Sequence, residues 1–528
     1  MKYASQGIEH YQSTADPEAL AAAFTALQAK LPQMWREVGS TDPGGPQQRE
    51  NTVVVVPSLS IDMEIPTVKA QAYEERFLFL LFLLGQTNLR LIYVTSQPIL
   101  PEIIDYYLDI CPGAIINSAR KRLFLVSPYD GSSRPLTEKL LQRPKLLRQI
   151  RDLIPDPDNA HIVPFNTTDL ERELAVRLGI PMYAADPTCF ALGTKSGARS
   201  LFKQEGIQHP LGVEDLFAEE TAVRAIMDMR AQKPAIDHVI VKLNEGVGGM
   251  GNTLVDLSGA PAPGAEDEFE AIAERFRAMQ FEIEGIGYPA YLAGFEEHGG
   301  VVEEFVGGAE THSPSVQLRN SPLGEVQILS THDQLLGGPS GQTFLGAVFP
   351  ARREYSRLIT EQAQTIGERL AREGVIGRYA VDFLVTRRPG GEWESYAIEI
   401  NLRKGGTTTP YLTLQYLTRG QFDTESGQFY TLRGQEKYYV ASDHIESEQY
   451  RQYTPADLFD LLSEHRLHFD HASQTGVVLH MISGVGTYGS LGVTAIGDSR
   501  DEAQALYMAL QDVLDNNFPK TGPAIRPE

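Results

Sequence analysis

Between residues 53 and 178 the chain alternates short apolar runs with helix-length segments, and this alternation constrains the fold more than any other feature. Residues 53–56, 89–94, 122–126 and 161–165 read as strands. The stretches 67–84, 99–108, 136–150 and 168–178 read as helices. Parallel strands cannot be joined by a tight hairpin; they need a crossover long enough to hold a helix. Strict alternation therefore predicts a parallel sheet covered on both faces, a Rossmann-like domain over residues 51–188. No Gly-x-Gly-x-x-Gly turn follows its first strand, so the sequence gives no support for dinucleotide binding there. Ahead of it, residues 16–37 have helical spacing and 40–51 are a turn-rich linker, so residues 1–50 are read as an N-terminal helix and linker.

After residue 190 the pattern changes. Helices at 194–205 and 213–232 precede a strand at 237–243, a glycine-rich loop and a second strand at 252–257. Residues 258–266 are a Pro/Gly/Ala insertion. Strands at 301–306, 314–319 and 324–333, a helix at 353–373 and strands at 379–386 and 396–401 complete an α+β domain over 189–420. A small α+β domain over 421–528 has helices at 455–464 and 500–515 and strands at 475–483 and 491–496. A length of 528 residues accommodates about three or four domains. The predicted class is α/β and α+β, multidomain.

Charge and cysteine content exclude several functions. A net charge of −23 repels polyphosphate backbones, so no broad nucleic-acid surface is expected. A local cationic pocket for a small anion remains compatible with that field. Two cysteines, Cys111 and Cys189, exclude a disulfide-stapled scaffold and any Cys-x-x-Cys motif, and they suit a reducing compartment. The N-terminus has no apolar signal segment, and the longest apolar run, 77–84, is far below the roughly 20 residues that span a bilayer. A cytoplasmic protein without membrane partners is the expectation.

Four stretches carry chemistry. In Lys242-Leu243-Asn244-Glu245-Gly246-Val247-Gly248-Gly249-Met250-Gly251 a lysine ends a strand and meets a loop with four glycines. Glycine lets backbone N–H groups approach an anion, and the lysine supplies countercharge. The second is Asp382 in an alternating strand, followed by Glu399-Ile400-Asn401. Residues two apart on a strand face the same way, so adjacent strands could present three oxygen ligands together, a set that suits Mg²⁺. The third, residues 301–310, runs an apolar strand through Glu303 and Glu304 into a glycine turn ending at Glu310. Its backbone could lie along an adenine edge, although from these residues alone an ordinary strand-to-turn transition is the better reading. The fourth, Arg403-Lys404-Gly405-Gly406 with Thr407, Thr408 and Thr409, could hold a phosphate or carboxylate at a helix start.

In this order, and with Lys195 in Gly193-Thr194-Lys195-Ser196, the stretches resemble the ATP-grasp superfamily of carboxylate–amine ligases. Asn401-Leu402-Arg403-Lys404-Gly405-Gly406-Thr407-Thr408 and Gly492-Val493-Thr494-Ala495-Ile496-Gly497-Asp498 look like the peptide-ligase branch known from pheganomycin biosynthesis. The resemblance covers roughly residues 50–515. It implies a Rossmann-like pre-ATP-grasp domain, an ATP-grasp core and a small C-terminal domain. It further implies that Lys195 and Lys242 hold the phosphates of ATP, with Gly246, Gly248, Gly249 and Gly251 as a lid. Glu304 and Val306 would read the adenine edge through their backbone, the Glu303 side chain would approach the adenine amino group, and Glu310 would take the ribose hydroxyls. Asp382, Glu399 and Asn401 would bind Mg²⁺. Arg403 and Lys404 are the implied catalytic cations.

The implied reaction passes a carboxylate through an acyl phosphate to an amide, with small-molecule or peptide carboxylates and amines as substrates. Homo-oligomers paired through the non-grasp domains are common in this fold. The sequence departs from relatives at three places. Asn401-Leu402-Arg403 replaces an Asn-Pro-Arg or serine-containing loop. Ala380 stands where D-alanine ligases carry an arginine two before the metal aspartate, which leaves Arg403, Lys404 or Arg378 to stabilise charge. Thr409 stands where the closer branch is expected to have histidine. An ATP-binding scaffold without ligase activity and a small-molecule kinase are the alternative readings. His332 is a candidate proton carrier or a satisfied loop histidine. His480 reads as a core or interface histidine, and His465, His468 and His471 with Asp470 as a polar connection rather than a zinc site.

Overall fold

Four strands form the parallel sheet that the alternation predicts, in a computed structural model that describes residues 11–39, 50–60, 67–113, 115–246, 251–281, 287–308, 310–338 and 341–517. They are β1 (Asn51–Val56), β2 (Leu89–Val94), β3 (Leu123–Val126) and β4 (Ala160–Pro164), in the order β3-β2-β1-β4. The central strand β1 is buried on both faces, which is why it reads as a continuous Val run rather than an alternation. Among the described residues, contacts divide the chain into two compact units. One contains residues 11–183, 406–423 and 428–517; the other contains Ala184–Gly405 with Thr424–Gly427.

Helices in the first unit are shorter than their sequence patterns suggest. The 136–150 segment splits into Leu136–Leu141 and Pro144–Asp152, because Pro144 has no N–H to continue a helix and instead starts one. The 16–37 segment splits likewise into Pro17–Gln28 and Leu31–Gly39. The 67–84 segment is an α-helix only over Thr67–Glu74; Glu75–Gly85 is a 3₁₀ segment. Nearly every side chain from Phe77 to Leu84 is buried, so no solvent face is present to impose a 3.6-residue period.

Two buried carboxyls at that junction make a prediction. Glu74 accepts the backbone N–H and the hydroxyl of Ser96, both at 2.6 Å, and Glu75 accepts the Ser483 N–H at 3.1 Å. Burial pushes both up to about 7. Each stays protonated in the fold at pH values where the unfolded chain has released its proton. Their contribution is complete below the unfolded value near 4.5 and is lost as pH rises through about 7. Denaturation at pH 5.5 and pH 8 should show lower stability at pH 8, by about 2 kcal/mol for each group at most. Glu75→Gln should flatten that dependence.

The second unit holds two antiparallel sheets. The smaller comprises β5 (Gly212–Leu216), β6 (His238–Leu243), β7 (Asn252–Asp256), β8 (Gln280–Phe281) and β9 (Gly300–Glu304), in the order β5-β9-β6-β7-β8. Helices Glu219–Gln232, Glu268–Arg277 and Tyr288–His298 share an apolar core with it. The 213–232 stretch is thus not one helix. Asp215 adopts a left-handed φ of 57° and the ladder slips between Val213 and Leu216, so the helix begins only at Glu219.

The larger sheet of this unit contains β10 (Thr311–His312), β11 (Pro314–Asn320), β12 (Val326–Gly337), β13 (Thr343–Phe349), β14 (Gly377–Arg387) and β15 (Trp393–Asn401). β14 lies between β15 on one flank and β11 with the short β10 on the other; β12 and β13 continue beyond β11. One face of this sheet packs on helix Arg353–Arg372 through Val316, Leu318, Tyr379, Val381, Phe383 and Ile400. The opposite face carries the polar residues described below.

Returning to the first unit, β16 (Gln421–Asp423) and β17 (Gln428–Tyr430) form a hairpin, and β18 (Tyr438–Glu446), β19 (Gly476–His480) and β20 (Ser490–Gly497) are antiparallel in the order β18-β20-β19. His480 is buried there and pairs with Asp443 at 2.9 Å, as a core histidine should. Both cysteines are free and buried. No helix among the described residues is long and apolar enough to cross a membrane.

Candidate functional site

The site is built on the polar face of the larger sheet. Asp382 on β14 and Glu399 on β15 are direct cross-strand partners, and Asn401 faces Ala380 two residues on. Cross-strand pairs share a face, so both acids and the amide project together. The ladder slips just beyond, between Asp382 and Phe383. Asn401 Nδ2 donates to Asp382 Oδ2 at 3.0 Å and to Glu399 Oε1 at 2.8 Å. Its Oδ1 accepts from Arg403 Nη2 at 3.0 Å. The amide thus sets its positive end between two carboxylates.

That donor set fits a divalent cation. Two carboxylates and an amide, all hard oxygen donors once the amide turns over, suit Mg²⁺, which keeps several waters and needs few protein ligands. Among the described residues no group of three or more His, Cys, Asp or Glu side chains gathers in a metal-binding arrangement. The three-histidine stretch near residue 468 instead joins a helix to β19, with His468 bridged to Val477 and Asp470 to Thr475.

Cations surround the acids. Lys195 opens helix Lys195–Gln204 and its ammonium pairs with Glu399. Burial, together with Lys242 and Arg403, pushes Lys195 down to about 7. Burial pushes the Asp382 carboxyl up, opposed by hydrogen bonds from Ser315 and Gln334 and by Lys195 and Arg403. Each charge here is expensive to hold dry and is held by its opposite. Lys404 is buried, and burial first and Arg378 second push it down to about 7.

The smaller sheet supplies the rest. Lys242, Ile240, Val301 and Glu303 share one face, and Lys242 pairs with Glu303. Glu303 also takes Arg199 Nη1 at 2.8 Å, while Arg199 Nε reaches Glu214 at 2.9 Å. Arg199 is about 1 % exposed, so this pair of buried cations on one acid is closed to water. Both cations draw the Glu303 carboxyl down against the opposing pull of burial. Glu304 turns away, to Lys233 at 2.5 Å and the Leu211 N–H at 3.1 Å. Val306 lies past the end of β9, half-buried. Glu310 faces His312 at 3.3 Å, Arg387 at 3.3 Å and Arg352 at 3.4 Å, and the His312 hydrogen bond leads in drawing its carboxyl down.

The glycine loop joins β6 to β7, flanked by strands as the sequence indicates. Gly246 and Gly251 face each other across its mouth; a Cβ on either would stand 3.1 Å from the other's Cα. Gly248 and Gly249 lie outside the described residues.

Sequence reasoning missed two residues that hold these parts together. Asn244 is the first. Its Oδ1 accepts the Ser196 N–H at 3.0 Å, its Nδ2 donates to the His298 carbonyl at 3.0 Å, and its carbonyl accepts Lys195 N–H at 3.3 Å. It fastens the loop to the start of the Lys195 helix. A polar residue two after the strand-ending lysine was the available signal. Arg199 is the second; as a single arginine on a helix it carried no signal. Gly197 in the same helix is required by space, since a Cβ there would lie 1.8 Å from the Ala191 carbonyl. His332 is fully buried against the Phe349 ring, and burial pushes it down to about 3. It is therefore neutral at ordinary pH, unlike a proton carrier that charges in turnover.

Known proteins show the same organisation. Residues 286–425 match the family model described as IQCH-like, ATP-grasp, and residues 457–510 match the PGM1 C-terminal domain. The chain is 28% identical over 465 residues to L-propargylglycine–L-glutamate ligase of Streptantibioticus cattleyicolor, covering 86% of this chain and 92% of that one. It is 23% identical over 384 residues to IQ motif-containing protein H of Danio rerio, 65% of this chain and 36% of that one. In fold it is similar to the biotin carboxylase domain of Hydrogenobacter thermophilus 2-oxoglutarate carboxylase (12% identity, 89% of this chain, 95% of that one, TM-score 0.51). A second match is biotin carboxylase of Campylobacter jejuni (13% identity, 88% and 95%, TM-score 0.50). The domain model lies over the strands that carry Asp382, Glu399 and Asn401, so this part of the chain is similar to ATP-grasp domains.

Proposed function

We propose that the protein is an ATP-dependent ligase that joins a carboxylate to an amine through an acyl phosphate, releasing ADP and phosphate. The observation that carries this reading is the convergence of Asp382, Glu399, Asn401, Lys195 and Arg403 on one sheet face. The similarity over most of its length to a ligase whose two named substrates are amino acids supports an amino acid or peptide as the substrate class.

In this reading Lys195 and Lys242 hold the nucleotide phosphates, the glycine loop closes over them, and Glu304 and Val306 offer backbone groups to the adenine edge. Glu310 takes the ribose hydroxyls, and Glu303 positions Lys242 from its pair with Arg199. Asp382, Glu399 and Asn401 would hold Mg²⁺, which when bound neutralises charge on the phosphate oxygens. Arg403, already anchored on Asn401, supplies cationic charge beside the transferring phosphoryl group. Phosphoryl transfer asks the protein mainly for position and charge, and this face provides both. A carboxylate oxygen attacks the γ-phosphorus as the bond to the β-phosphate oxygen breaks. The amine then attacks the acyl carbon and phosphate leaves. A closed loop over the site keeps water from the mixed anhydride.

The test is ADP release across pairs of amino acids. The ligase reading expects release that requires both a carboxylate and an amine, with one amide formed per ADP. Release with a stable phosphorylated product and no need for an amine would make the protein a kinase. Nucleotide binding without release from any pair would favour a scaffold.

A further inference from the structure

The polar face does not stop at the metal-type acids. On β14 the residues sharing the face of Asp382 are Ala380 and Arg378. Ala380 lies beside Gln317 of β11, which in turn pairs with Ser330 of β12. Arg378 is thus four residues from Asp382, about 13 Å along the strand. The alanine between them leaves the intervening row low.

Arg378 is a half-buried cation without an acid. Among the described residues it has no ion pair, and its Nη1 is buried without a hydrogen-bond partner. Its cross-strand neighbour is another cation, Arg319, whose guanidinium is occupied by Gln327 at 3.0 Å. On the other flank β15 has ended. Were that ladder continued past the Ala380–Asn401 pair, residue 403 would face Arg378, and Lys404 follows it. Lys404 is buried near enough to feel Arg378 as a repelling charge. Native proteins rarely bury an atom such as the Arg378 Nη1 unsatisfied, and a half-buried guanidinium facing other cations calls for an anion.

We propose that Arg378 and Lys404 form a subsite for a carboxylate that is not the one being phosphorylated: the free carboxylate of an amino-acid or peptide substrate. The guanidinium fork matches a carboxylate with two parallel hydrogen bonds, which a point charge cannot do. At this distance from Asp382 the subsite measures the substrate rather than activating it. It selects a partner whose free carboxylate lies a few bonds from the reacting centre. Arg378 is on this account a specificity residue and not a stabiliser of the transferring phosphoryl group. The proposal rests on the ligase reading for its substrate but not for its anion.

The experiment separates the two. Wild type and Arg378→Gln are saturated with Mg²⁺ and a non-hydrolysable ATP analogue, which occupies the Lys195–Lys242 region. Inorganic phosphate is then titrated at constant ionic strength, and the thermal midpoint is followed. The expected result is a phosphate-dependent rise in wild type whose apparent affinity falls at least tenfold in Arg378→Gln and returns in part in Arg378→Lys. The analogue's own shift, kept by both variants, shows that they fold. An equal phosphate response in wild type and Arg378→Gln, or no response in wild type, overturns the subsite. If the analogue itself gives no shift, the nucleotide reading fails. The phosphate titration without analogue still decides the subsite, by its loss in Arg378→Gln and its survival in Lys242→Ala. Once a turned-over pair is known, Arg378→Gln should raise KM for the carboxylate-bearing partner tenfold or more without changing KM for ATP. Capping that carboxylate as an amide should harm wild type and leave the variant indifferent; equal harm in both would overturn the assignment.

Discussion

Glu399→Gln is expected to reduce ADP formation at least about a thousandfold while leaving the fold intact. Glutamine keeps the shape and one oxygen of Glu399 but removes the charge that stands opposite Asp382 across the ladder and against Lys195. Losing one preorganised charge-stabilising group from such a site typically costs about a hundred- to a thousandfold in rate. Here the loss is larger because the same carboxylate orders three groups. It fixes Lys195, receives Asn401 and would complete the proposed divalent-cation set. A thousandfold is about 4 kcal/mol of barrier. Stability moves little, because two opposing effects meet. Like charges opposite each other on a sheet are destabilising, so removing one relieves Asp382. Lys195, buried, loses its ion partner. Steady-state ADP release and a thermal melt on the same preparation check both halves. Normal turnover would remove the acids on β14 and β15 from the chemistry altogether.

The parts of this site that were legible in the sequence share a physical cause. Asp382, Glu399 and Asn401 stand out because acids and amides disfavour strands and these sit in apolar, period-two frames. Half-buried acids on a strand demand a use, and the two-residue period by itself puts Glu399 and Asn401 on one face. The parallel sheet was legible for a similar reason, since each strand is a short run bounded by helix-length spacers.

What was illegible depended on partners far away in sequence. Arg199 looks like any helical arginine; its two acids, Glu214 and Glu303, come from different strands. The single helix expected over 213–232 failed because the strand Gly212–Leu216 contains two acids and a left-handed Asp215, features that read as the first turn of a helix. Its strand conformation is imposed by pairing with β9. β13 and β18 were overlooked, and so were the helices Glu268–Arg277 and Tyr288–His298. The pairing of Ala380 with Gln317, and of Gln317 with Ser330, which puts an alanine row between Asp382 and Arg378, is register information that no local pattern contains.

Lys242→Ala should abolish the thermal shift produced by Mg²⁺ and ATP. In wild type a ligand at about one hundred times its dissociation constant adds about 2.7 kcal/mol to the folded state, several degrees for a unit of this size. Lys242 sits at the end of β6 where the glycine loop begins, and its ammonium is held by Glu303. An arriving phosphate competes for that ammonium, and Glu303 keeps Arg199 when it lets go. The lysine can therefore turn to a ligand without leaving a bare buried acid behind. Alanine removes both the countercharge and the stem that fills the space under the loop, so the unliganded variant will itself melt lower. The informative quantity is the increment caused by nucleotide. Lys242→Met, which keeps the stem, should restore much of the basal stability and none of the increment. If both variants retain the full nucleotide shift, the phosphates lie elsewhere and the glycine loop is an ordinary hairpin. If both lose it while Glu399→Gln still binds ATP, binding and phosphoryl transfer divide between the two sheets. The smaller then grips the nucleotide, and the larger carries the charges that act on it.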